Sequence, residues 1–211
     1  MVLAGVCLDG RAVHEWLRHQ KPWRHTMDRL AVIDEIAEPR ALIALLAAAP
    51  IALSATAAAS VPGTYAVHYN GPHPLYRALR GRSRPIYVGS AENLKSRLTT
   101  HTATLDSCRN LDRADFTVRT VPAASTIDAQ VTEQLLQRSL RPPWNDPAVA
   151  GFGSRRQGQR RESAQLATPW DTLHPGRTWA STMTPRDPAA IAAAVIDAMH
   201  VLIDARDNAA A

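Results

Sequence analysis

Pro85-Ile86-Tyr87-Val88-Gly89-Ser90-Ala91-Glu92-Asn93-Leu94-Lys95-Ser96-Arg97-Leu98-Thr99-Thr100-His101 reads as a short apolar strand, a Gly-Ser turn and an amphipathic helix. Ser90 is placed to cap that helix with its hydroxyl. Glu92 sets a carboxylate in its first turn, where the helix dipole favours negative charge. With the helical step, Leu94, Leu98 and Leu105 share a narrow stripe that such a helix buries. Arg97 and His101, one turn apart, lie on the edge of the stripe, with constrained rotamers and partly wet heads. A guanidinium and an imidazole so held suit catalysis on an anion, although an ordinary surface pair has the same spacing.

Outward from this stretch, Gly63-Thr64-Tyr65-Ala66-Val67-His68-Tyr69 alternates like a strand and ends in Asn70-Gly71, a turn signal. On the other side, Asp115 to Val121 reads as a third strand through Phe116, Val118 and Val121. Thr126 or Ser125 then caps a helix with Ile127, Val131, Leu135, Leu136 and Leu140 as its apolar positions. Glu133 lies within about 60° of Leu136 on the helical wheel and borders the buried face. Arg141-Pro142-Pro143-Trp144-Asn145 ends the helix.

A Gly-x-Tyr strand, a second strand ending Tyr-Val-Gly, and a helix carrying Arg and His together resemble the core of the GIY-YIG nuclease superfamily. The resemblance implies an α+β fold: a small three-stranded, mostly antiparallel sheet flanked by helices, with helical N- and C-terminal extensions. It also implies a site of Tyr65, Tyr87, Arg97, His101, Glu133 and Asn145. In that site Glu133 is the ligand for Mg²⁺ or Mn²⁺, Arg97 neutralises phosphoryl oxygens, and Tyr65, assisted by His101, activates water while Tyr87 orients it. Gly151-Phe152-Gly153 and the segment Pro169 to Ala180, rich in Trp, His and Arg, narrow the resemblance to type II restriction endonucleases that cut CCGCGG. Two positions depart from the pattern. The first motif reads Gly-Thr-Tyr, where Thr is still β-branched, and Ser90 stands where many relatives have Lys.

Charge follows the motifs. Residues 1 to 74 balance six basic against six acidic side chains, residues 75 to 186 carry 17 against nine, and residues 187 to 211 carry one against four. Only Lys21 and Lys95 are lysines, and arginine forks suit phosphates and guanine edges. Arg77, Arg80, Arg82 and Arg84 lie in an acid-free loop expected to contact the DNA backbone. Arg155, Arg156, Arg160, Arg161 and Arg177 are the candidates for reading bases or holding phosphate. The expected partners are double-stranded DNA, a second copy of the chain matching a palindrome, and a cognate DNA methyltransferase.

The chain divides into a helical extension (1–60), a nuclease core (61–150) and a recognition tail with a C-terminal helix (151–211). In the extension, residues 11 to 18 form a short helix, and Thr26 caps a segment with Met27, Leu30, Ile33 and Ile36 on one face. Pro39 either ends that segment or opens the next helix, Ala41 to Ala49. His14, His19 and His25 have no compact metal-ligand spacing and are expected to be exposed. Cys7 and Cys108 are expected as free thiols in a cytoplasmic protein, because the start of the chain lacks a signal-peptide pattern and Ala41 to Pro62 is too broken by Pro, Ser and Thr to span a membrane. Asp187 caps and Pro188 opens a last helix with Ile191, Val195, Met199 and Leu202 on one stripe, expected to pack on its own core. Two alternatives compete: a repair or homing nuclease, disfavoured for want of a second DNA-binding module, and a catalytically silent DNA-binding protein, which predicts a broken motif set.

Overall fold

Strict alternation along Gly63–Tyr69 sets the layering. All seven residues of this strand are buried, so both of its faces are covered. The computed structural model describes residues 2–3, 6–7, 29–53, 58–79, 84–153 and 166–207, with backbone alone at 2–3, 6–7, 29–36 and 201–207. In chain order these form β1 (Val2–Leu3), β2 (Val6–Cys7), α1 (Arg29–Ala47), β3 (Ile51–Ala52), β4 (Gly63–Tyr69), β5 (Tyr87–Ala91), α2 (Leu94–Ser107), β6 (Phe116–Pro122), α3 (Thr126–Leu140), α4 (Pro169–Leu173) and α5 (Pro188–Asp207). β1 and β2 pair with each other. The main sheet has the order β3-β6-β4-β5 and every pairing in it is antiparallel.

The fold is α+β, as expected; its main sheet has one strand more than the three read from sequence, and β1, β2 and β3 are short strands within the extension expected to be helical. Two residues of the Ala-rich stretch, Ile51 and Ala52, pair with Val118 and Thr117 and add an edge. On one face, Ala66 and Val88 pack with Ala41 and Leu45 of α1 and with Leu135, Leu136 and Leu140 of α3. On the other, Tyr65, Val67 and Tyr69 join Leu94, Leu98 and Leu105 of α2 with Trp144, Phe152 and Trp170. Each fully buried leucine contributes roughly 1.5–3 kcal/mol, so α2 is fixed by its stripe and not by its propensity. Ile191, Val195 and Met199 of α5 belong to this second cluster, so the last helix packs on its own core. The Asp187 carboxylate receives the Ala189 amide at 2.9 Å at its start; Leu202 lies outside the described side chains.

Several local readings change. α1 runs through Pro39, because a helix of 19 residues packed on α3 tolerates the lost hydrogen bond. Ile127 and Val131 are 71% and 49% exposed, because the face that α3 lays on the sheet is the one carrying Ala129, Leu136 and Leu140, and these two lie away from it. Ser125 is the cap of α3, accepting the Asp128 amide at 3.1 Å. Ser90 does not cap α2: β5 continues to Ala91, and Asn93 takes the cap by accepting the Ser96 amide at 2.9 Å. Glu92 therefore lies before the helix and is exposed. The stretch after Gly71 is a packed 3₁₀ segment, Pro74–Leu79, whose Leu75, Tyr76 and Leu79 are buried. Cys108 is a buried free thiol, pushed up to about 11 chiefly by burial. His14, His19, His25, the Cys7 side chain and the helix expected at 11–18 lie outside the described residues. Among the described residues no helix is long and apolar enough to cross a membrane.

Candidate active site

Register places the two tyrosines together. Tyr65 of β4 pairs with Gly89 of β5, and Val67 pairs with Tyr87, so Tyr65 and Tyr87 occupy diagonal positions on one face. Their ring centroids are 6.2 Å apart. A side chain at Gly89 would put its Cβ 2.5 Å from Tyr65 Oη, so the glycine leaves the space in which the phenol lies. From α2, Arg97 Nε donates to Tyr65 Oη at 3.0 Å, and His101 Nε2 lies 2.7 Å from the same oxygen. Two of the residues expected in the site thus converge on the phenol oxygen of a third.

The environment of that oxygen is dry. His101 is 1% exposed, inside the apolar stripe and not on its edge, because Phe152 stacks on it at 4.6 Å with planes 4° apart. Burial, reinforced by the charges of Arg97 and Arg177, pulls the imidazole down to about 3, so it is neutral at pH 7. Its Nδ1 is buried with no hydrogen-bond partner, which leaves Nε2 as the polar contact of the ring. Burial also pushes the phenols of Tyr65 and Tyr87 up; the Glu133 carboxylate acts in the same direction at both and Arg97 opposes it. Although burial disfavours the Arg97 charge, the two neighbouring phenols leave its guanidinium more firmly protonated than usual. Arg97 also donates to Gly153 O at 2.9 Å, where a Cβ would stand 2.3 Å from Tyr87 Oη.

Glu133 approaches β5 from the other side. Val88 and Ser90 face α3, with parity opposite to Tyr87 and Gly89. Ser90 Oγ donates to Glu133 Oε2 at 2.5 Å and Gln137 Nε2 donates to Oε1 at 2.8 Å. Asn145 sits at the outer edge of β5, where its amide copies a strand partner: Oδ1 accepts the Val88 amide at 2.7 Å and Nδ2 donates to Val88 O at 2.8 Å. The neighbouring Trp144 amide donates to Ile86 O at 3.0 Å. Asn145 is thereby engaged by the backbone and positions β5.

A hard, half-buried carboxylate held by two neutral donors suits a divalent cation such as Mg²⁺. Among the described residues no group of three or more His, Cys, Asp or Glu side chains gathers around it.

The basic residues expected at DNA divide. Arg77 is exposed, while Arg80, Arg82, Arg155, Arg156, Arg160 and Arg161 lie outside the described residues. Arg84 is not presented to a ligand. Its guanidinium donates to Leu140 O at 3.1 Å, Arg141 O at 2.5 Å, Ala198 O at 2.9 Å and Met199 O, tying the C-terminal end of α3, whose last carbonyls lack helical partners, to α5. Arg177 is 5% exposed and paired with Asp171 through Nε–Oδ1 at 2.5 Å and a second bond at 2.7 Å; it also donates to Gly151 O at 3.1 Å. It fastens the tail onto α4, because the preceding short helix supplies a buried carboxylate that captures the guanidinium.

Sequence reading missed Gln137, Ser90 as a partner of Glu133, and Phe152 as the lid of His101. Only Gln137 carried a signal, its helical spacing of four from Glu133. A family model described as the Eco29kI GIY-YIG domain matches residues 58–200, which include all six site positions. No curated protein matches the chain.

Proposed function

The chain belongs to the Eco29kI GIY-YIG family of nuclease domains, and from that premise we propose that it is a type II restriction endonuclease. On this reading it acts as a homodimer on double-stranded DNA at a GC-rich palindrome such as CCGCGG, requires Mg²⁺ or Mn²⁺, and is accompanied by a cognate methyltransferase. The observation that carries the hydrolytic reading is the convergence of Arg97 Nε and His101 Nε2 on the Tyr65 oxygen at 3.0 and 2.7 Å. Two-fold symmetry of a palindrome supports the dimer.

In the mechanism, Tyr65 takes a proton from the attacking water as its own proton passes along the contact to His101 Nε2. Both groups are neutral at rest, with Tyr65 held above and His101 below their usual ranges. An anionic phosphate beside the pair would favour the imidazolium form of His101. Arg97, tethered at Gly153 O, keeps its charge beside the two phenols and compensates the phosphoryl oxygens. Tyr87 orients the water, and Asn145 fixes the strand from which Tyr87 projects. Glu133 would hold a divalent ion, which would supply positive charge at the scissile phosphate and the leaving 3′ oxygen. Exposed Arg77 and the basic residues of 154–165 are assigned to DNA contact.

The test is incubation of the purified protein with plasmid carrying CCGCGG, with Mg²⁺ and with EDTA, followed by mapping of the ends. Discrete Mg²⁺-dependent ends at one palindrome are expected. Intact plasmid that is nevertheless retarded in a gel overturns the nuclease in favour of a silent binder.

A further inference from the structure

We propose that Ser90 and Gln137 are positioning residues for the Glu133 carboxylate, holding its two oxygens in the orientation that receives the divalent cation. This rests on the reading of Glu133 as the ligand of that cation and adds what orients it. Ser90 Oγ donates to Oε2 at 2.5 Å and Gln137 Nε2 to Oε1 at 2.8 Å. A carboxylate offers about four lone-pair positions, so one donor on each oxygen leaves one position on each for an ion or its waters. Donors on both oxygens also block rotation of the group about its axis. The two arrive from different elements, Ser90 from β5 and Gln137 from one turn further along α3, so Glu133 is fixed to the strand as well as to its own helix.

The donors are themselves held. Gln137 Nε2 also reaches Val88 O at 3.3 Å, and that carbonyl receives Asn145 Nδ2 at 2.8 Å. With one Nε2 proton for Glu133 and one for Val88, the amide of Gln137 cannot flip without losing both contacts. Ser90 sits within the ladder opposite Thr64, whose hydroxyl bonds Ala129 O at 2.8 Å on the same helix. Both donors are neutral, so the carboxylate retains its charge for a cation.

The test measures Mn²⁺ binding by the loss of the free-ion electron paramagnetic resonance signal. It uses the full chain with a duplex containing CCGCGG, in a Tyr65→Phe background that spares the DNA. Ser90→Ala and Gln137→Leu are expected to weaken Mn²⁺ binding about tenfold each, the lower end for residues that hold a metal ligand. Ser90→Thr, which keeps the hydroxyl, is expected to restore it. Melting temperatures are recorded alongside; should Gln137→Leu unfold, the Ser90→Ala and Ser90→Thr pair decides. Unchanged Mn²⁺ affinity in the positioning variants, with binding lost in Glu133→Ala, overturns this proposal and leaves the ligand reading standing. Unchanged affinity in Glu133→Ala overturns both.

Discussion

The two faces of β5 carry opposite kinds of chemistry. Toward α2, Tyr65, Tyr87 and His101 lie among Phe152, Leu94 and Leu98, desolvated and with their polar atoms directed at one another. Toward α3, Ser90, Glu133 and Gln137 form a half-exposed polar chain with neutral donors around one charge. A proton relay benefits from the first environment, where water cannot compete for each hydrogen bond. A cation site needs the second, because its ligands must exchange with solvent. An edge strand one residue thick is what brings both groups to the same strand, since alternating side chains serve the two faces in turn.

The sharpest way to break the comparison is Glu133→Ala. Cleavage is expected to be abolished with specific DNA retardation largely intact; loss of binding as well would make Glu133 structural. On the opposite face, Tyr65→Phe removes the relay oxygen and is expected to slow single-turnover cleavage about 10²–10⁴-fold while leaving Mn²⁺ binding unchanged. If Tyr65→Phe weakens the ion as much as Glu133→Ala does, the two faces are not separate.

The buried histidines sharpen the contrast through pH. His101 and His174 are pulled down to about 3 and His68 to about 4, in each case chiefly by burial, from an ordinary 6.5. Above 6.5 neither folded nor unfolded chain is protonated at these rings, and their contribution to stability is complete. Below it the unfolded chain takes up protons that the folded chain refuses until pH 3 to 4, so stability falls across that window. Urea melts between pH 8 and 5 are expected to show a falling midpoint beginning near 6.5, with a shallower slope in His174→Gln. The smallest effect is expected from Thr64→Val, which removes the 2.8 Å bond to Ala129 O on the α3 face. A loss of about 1 kcal/mol is expected in a denaturant melt, with the pH dependence of cleavage unmoved.

Much of the α2 face was legible in the sequence, because its logic is local. Alternation set Tyr65 and Tyr87 on strands, and a spacing of four put Arg97 and His101 on successive turns. What sequence could not give was the depth of His101, which depends on Phe152 arriving 51 residues later. The α3 face was less legible for the same reason: Ser90 reads as a helix cap until β5 is seen to continue past it to pair with β4. Arg84 and Arg177 read as DNA contacts from their charge, yet carbonyls and a carboxylate from other segments had already claimed them. The strand at Ile51–Ala52 left no pattern, two residues being too few to alternate.

The amide of Asn145 has a consequence beyond the site. By occupying both the N–H and the C=O of Val88, it denies the outer edge of β5 to a strand from a neighbouring molecule. The opposite edge of the sheet is β3, only two residues long and a poor template for further pairing. Resistance to edge-to-edge pairing and alignment of the strand bearing Tyr87 therefore draw on the same side chain, so a substitution at Asn145 is expected to lower solubility as well as cleavage.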